Sequence, residues 1–104
     1  MFRVDNITGK IEMNEGDFGE ILTFHNLEIV ENSSFKFKIK KNNEIVFEKD
    51  LTDISGTDAN LSFTKEETNQ LKIGSYTWSL VQYIENKLYS TISKNNILLV
   101  EEGA

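Results

Sequence analysis

The chain has 104 residues, a size that holds one hydrophobic core and one domain. Its 11 Lys and Arg against 17 Asp and Glu leave a net charge of −6, which opposes binding to the phosphates of nucleic acid. With 38% hydrophobic residues the composition is not that of a disordered chain, and the absence of cysteine excludes a disulfide framework, a thiolate zinc site and a thiol nucleophile.

The opening MFRVDNITGK lacks the apolar stretch and cleavage site of a secretory leader, and no later run is long enough for a membrane helix. Synthesis in the cytoplasm without export, and no membrane partner, are the expectations. The NIT triplet at 6–8 has the glycosylation pattern, which has no meaning without export. Short alternating stretches predict strands at 10–13 and 19–24, separated by NEGDF, where Gly16 is expected to take a left-handed conformation in a polar turn. Residues 34–41 alternate Phe35, Phe37 and Ile39 with lysines. That is the pattern of a half-buried antiparallel strand with a solvated lysine face, and the alternative is a basic aromatic strip.

KNNE then predicts a turn into a strand at 45–51, and TDISGTDAN has loop chemistry. A strand is expected at 60–63. TKEETNQL follows, with Thr64 and Glu67 spaced as a capping box, so a short helical turn near 65–71 should carry the chain from one sheet to the other. In 75–84, Tyr76, Trp78 and Leu80 share one face, with Ile84 a further candidate for it, against Ser75, Thr77 and Ser79 on the other. A reversal at Glu85-Asn86-Lys87, a strand at 88–93, a KNN turn and a last strand at 97–100 complete the chain.

About seven or eight short strands at this spacing predict an all-β, immunoglobulin-like antiparallel β-sandwich, one domain over residues 1–104. The expected inward set is Ile11, Leu22, Phe24, Phe35, Phe37, Ile39, Phe47, Leu51, Leu61, Phe63, Tyr76, Trp78, Leu80, Ile92 and Leu99.

Candidate chemistry is sparse. His25, the single histidine, lies at a strand end in TFHNLE with no G-x-S-x-G motif, so it reads as a surface residue rather than a catalytic base. Glu12, Glu15, Asp17 and Glu20 form an acidic group, but their spacing does not match a D-x-D-x-D-G calcium loop, and a paired-carboxylate glycosidase needs a cleft. Tyr83 and Tyr89 fall opposite the expected core, either as a sugar-stacking platform or as ordinary cross-strand partners. No catalytic, cofactor-binding or metal-ligating residue is assigned, and no enzyme activity or cofactor is expected.

IEMNEGD at 11–17, FKFKIKKNNEIVFEKDL at 35–51, LSFTKEETNQLKIGSYTWSLVQY at 61–83 and NNILLVEEGA at 95–104 occur in an order that resembles a family of small tail- or baseplate-associated proteins of phages and prophages. The pattern is also similar to the N-terminal domain of baseplate upper proteins, a β-sandwich that docks a receptor-binding apparatus. Those proteins continue into a shaft and a receptor-binding region, which this sequence does not. The resemblance implies a non-enzymatic structural or accessory protein of the virion, made in the bacterial host cytoplasm. Its partners would be other phage structural proteins or further copies of itself. The residues leave two rivals open: a carbohydrate-binding module using Tyr83 and Tyr89, and a small acidic inhibitor of a host defence protein.

Overall fold

The computed structural model describes residues 3–5, 7–17, 19 and 21–102, with the backbone alone for 93–95. Hairpin chemistry sets the local structure. The nine-residue β4 (Ser33–Lys41) and β5 (Glu44–Leu51) are joined by Asn42 and Asn43 at φ 54° and 66°. A two-residue turn with both positions left-handed matches the twist of the flanking strands, and asparagine tolerates that conformation. β8 (Gly74–Ile84) turns into β9 (Lys87–Glu101) in the same way through Glu85 and Asn86, at φ 50° and 66°. The expected left-handed glycine is present at Gly16 (φ 86°), where the Asn14 amide donates to the Asp17 carboxylate and the Asp17 amide to the Asn14 carbonyl.

These hairpins assemble into two sheets. The larger has six strands in the order β1-β2-β9-β8-β4-β5, with β1 at Arg3–Val4 and β2 at Ile11–Asn14. The smaller has the order β3-β7-β6, formed by β3 (Ile21–Phe24), β6 (Asp53–Ser55) and β7 (Asp58–Ser62). The chain is an all-β sandwich with an immunoglobulin-like arrangement. The β2–β9 pairing is parallel and every other is antiparallel, so the larger sheet is mixed.

The crossover between the sheets carries a second signature. Helix α1 (Lys65–Thr68) closes with both hydrogen bonds of the capping box, the Glu67 amide donating to Thr64 Oγ1 and the Thr64 amide to the Glu67 carboxylate. Just beyond it, Tyr76 near the start of β8 donates its hydroxyl to the Lys72 carbonyl at 2.7 Å. This is the tyrosine corner of immunoglobulin-like domains. In antibody domains a disulfide cysteine stands two residues after that tyrosine. Here the position holds Trp78, whose ring stacks on Phe37 at 5.5 Å and meets Phe24 of the opposite sheet at 5.8 Å.

Thirteen of the fifteen expected core residues face inward, twelve of them buried and Phe24 partly so. The other two, Leu99 and Ile92, both lie on β9. The expected KNN turn is absent, because β9 runs unbroken through it. Against β8, β9 carries three register shifts, each inserting one extra residue on β9. An odd number of insertions inverts the alternation. Leu99 therefore pairs with exposed Ser75 and is only half-buried, while Leu98 and Val100 fill the core; Ile92 is itself one of the inserted residues, unpaired against β8 and 39% exposed. The expected loop TDISGTDAN is instead the β6–β7 hairpin, turning at Gly56 (φ 61°).

This packing has measurable consequences. Trp78→Ala should destabilise the fold by about 3–5 kcal/mol in chemical denaturation, and the native tryptophan emission should be blue-shifted relative to the unfolded chain. A second outcome concerns acid. Burial pushes the Glu67 carboxyl up, but hydrogen bonds from the Lys49 ammonium at 2.7 Å and from Thr64 outweigh it and hold the group below its ordinary range. A lowered folded-state value gives stability that is present above the unfolded carboxylate pKa of about 4.3 and lost as pH falls through the folded value. Melting temperature should therefore decline below about pH 4.3, and Glu67→Gln should lower it at neutral pH and flatten part of that decline.

Candidate functional site

Neighbouring strands lie about 4.8 Å apart, so three strands cover only about half the width of six. Leu27 and Leu71, from connecting segments, help to complete the core. On one side the sandwich stays open. A crevice of about 580 Å³ runs along β3, and all four residues of that strand line it. Trp78 and Leu80 form its floor, with Val4 and Ile92 on the far side. β3 is an edge strand whose outer side has no strand partner among the described residues.

The far wall is built by a hydrogen-bonded turn. Asp5 Oδ1 accepts from the amides of Ile7 and Thr8, and the Gly9 amide donates to the Asp5 carbonyl. Those two amides hold the Asp5 carboxyl below its usual range. The turn is pinned to the core because Trp78 Nε1 donates to the Gly9 carbonyl at 2.8 Å. Gly9 itself has φ 76°, a conformation that favours glycine, and a Cβ there would displace the tip of the Asn96 side chain, 2.8 Å away. The turn leaves Ile7 95% exposed, and the crevice itself is lined by exposed Val4, Ile21 and Ile92.

The residues singled out from sequence fall in several places. His25 follows β3 at the end of the crevice and meets Asp58 across 3.3 Å, both side chains well exposed. Glu12 is held by Arg3 at 2.9 Å and by Lys10 at 3.2 Å, and the Arg3 hydrogen bond is the main reason its pKa lies below the ordinary range. Asp17 closes its turn, Glu15 donates its amide to the Glu101 carbonyl, and Glu20 lies outside the described residues, as does Asn6 of the NIT triplet. Among the described residues no three acidic or histidine side chains gather to hold a metal.

Tyr83 lies on the outer face of the larger sheet. Its hydroxyl accepts from Lys38 Nζ at 2.7 Å, and its ring carries the ammonium groups of Lys38 at 5.3 Å and Lys36 at 5.6 Å. Those contacts set two cations beside the ring on which a sugar would stack. Tyr89 is half exposed on β9. Lys36 also bonds Glu48 at 3.2 Å, which raises its pKa, so the lysine row is partly neutralised within its own face.

Sequence reasoning does not group the residues that shape the crevice, Asp5, Gly9, Ile21 and Ile92. DNITG at 5–9 does hold a readable signal, since an aspartate followed by small polar residues and glycine favours a side-chain-closed turn. Comparison of the chain with known protein families, with curated proteins and with solved structures finds no match.

Calcium provides a test of the turn at 14–17. A cation site filled at a hundred times its dissociation constant would stabilise the fold by about 2.7 kcal/mol. Calcium should produce no such specific rise in melting temperature, and Asp17→Ala should destabilise by about 1 kcal/mol equally with and without it.

Proposed function

We propose that the protein is a non-enzymatic structural or accessory component of a phage or prophage particle, in its tail, baseplate or another part. It acts through contacts with other virion proteins, reaching the virion after synthesis in the bacterial host cytoplasm. The observation that carries the contact role is the open β3 edge beside an apolar crevice lined by exposed Val4, Ile21 and Ile92. Exposed apolar groups gathered around a groove are the usual mark of a docking surface. The phage context rests on the resemblance, whose longest stretch, 61–83, spans the end of β7, the capped helix, the tyrosine corner and most of β8.

On this reading, particles purified after induction of the source phage or prophage should contain the polypeptide at a stoichiometry set by particle symmetry, measured by quantitative mass spectrometry. Deletion of its gene should leave particles incomplete or poorly infectious. Normal particles and infectivity, with the protein found only in the free lysate, would overturn the structural role in favour of an inhibitor of a host protein.

A further inference from the structure

Among the described residues, the larger sheet and the smaller sheet together have four edge strands: β1, β5, β3 and β6. Three of them carry charge along the edge. β1 has Arg3, β6 has Asp53, and β5 has Glu44, Glu48 and Asp50 exposed, with Lys49 turned to bond the Ser62 carbonyl at 2.6 Å and Glu67. Charge on an edge, and an inward-turned lysine, are the usual devices that stop another strand from pairing there. β3, with the sequence ILTF, has none.

The crevice matches that difference. One wall is β3 in its whole length, which offers backbone donors and acceptors, and the floor is apolar. Only an extended backbone can pair with a strand edge, and its side chains then point alternately to the two faces of the sheet. On the inner side they would meet Trp78, Leu80 and Ile92. On the outer side they would lie beside Thr23, whose hydroxyl donates to Asn60, which in turn donates to Asp53. The formal charge on the lining is Asp5, with His25 bound to Asp58 at the end, and the whole chain carries −6.

We infer that β3 is a strand-addition site for an extended segment of a different polypeptide, apolar at alternate positions and basic at the intervening ones. The added strand extends the β3-β7-β6 sheet to four strands and closes the open side of the sandwich. The inference rests on the contact role proposed above and specifies its mode.

The test uses the full chain and a seven-residue peptide alternating lysine and valine, at concentrations up to about 1 mM, where even weak pairing is populated. Amide hydrogen exchange of 21–24 should slow by about tenfold, and Trp78 emission should shift. A peptide N-methylated at alternate residues, which cannot pair along its edge, should do neither, and an alternating glutamate–valine peptide should bind more weakly. Ile21→Lys, at an exposed position on the same face as Thr23, sets a like charge beside the peptide's lysines and should abolish the effect while leaving the melting temperature unchanged. Absence of protection at 21–24, or equal protection by the N-methylated peptide, would overturn the inference. So would protection that grows with protein concentration in the absence of peptide, which would place a second copy in the groove. If the peptide fails while purified particles contain the protein, strand addition falls and the structural role stands.

Discussion

One aromatic side chain, Trp78, joins the parts of this fold that would otherwise be independent. Its ring stacks on Phe37 of the neighbouring strand, touches Phe24 across the sandwich, and donates its indole N–H to the Gly9 carbonyl of the N-terminal turn. Antibody domains bring the same two sheets together with a disulfide. In a chain without cysteine the inter-sheet tie is instead made by stacked rings, with Phe63 extending the cluster from Phe37 to Phe47. Aromatic pairs contribute about 0.5–1.5 kcal/mol each beyond the area they bury, and they require no oxidising compartment.

That arrangement also explains why the crevice exists and holds its shape. Trp78 is 5% exposed, yet it forms the floor of the opening because no fourth strand lies outside β3 among the described residues. The turn at 5–9 cannot drift away from it, since the Gly9 hydrogen bond and the Asp5 side chain fix both ends. A surface held by the core in this way would lose little conformational entropy if it bound a partner. The outer face of the larger sheet is organised differently: Lys36 is tied to Glu48 and Asp50, and Lys38 to Tyr83, so part of its charge is satisfied within the face.

Much of this architecture is legible in the order of the amino acids. The alternation at 34–41, the Asn-Asn and Glu-Asn reversals, the left-handed Gly16 and the Thr64–Glu67 capping box all appear as expected, because each depends on residues within a few positions of one another. A strand is legible at the end of the 53–62 hairpin, but β6 and the start of β7 are hidden in sequence because they carry Asp, Ser and Asn, residues that usually mark loops. They sit in a sheet because Leu61 and Ala59 are buried against the core and Asn60 bridges Thr23 and Asp53.

The sequence by itself determined the all-β class, the hairpin turns and most of the core, since periodicity and turn preference act through local sterics. Only the tertiary structure decided which face of β9 is buried, because three insertions against β8 reverse its alternation, and the one that sequence marks, at KNN, reads there as a turn rather than a bulge. It alone also decided which edge stays open. A strand's own residues state whether an edge is defended by charge, but whether that edge has a neighbour depends on pairings between segments far apart in the chain. Ile21 and Thr23 look like any half-buried strand in sequence. Their exposure along a free edge is a consequence of where the rest of the chain goes.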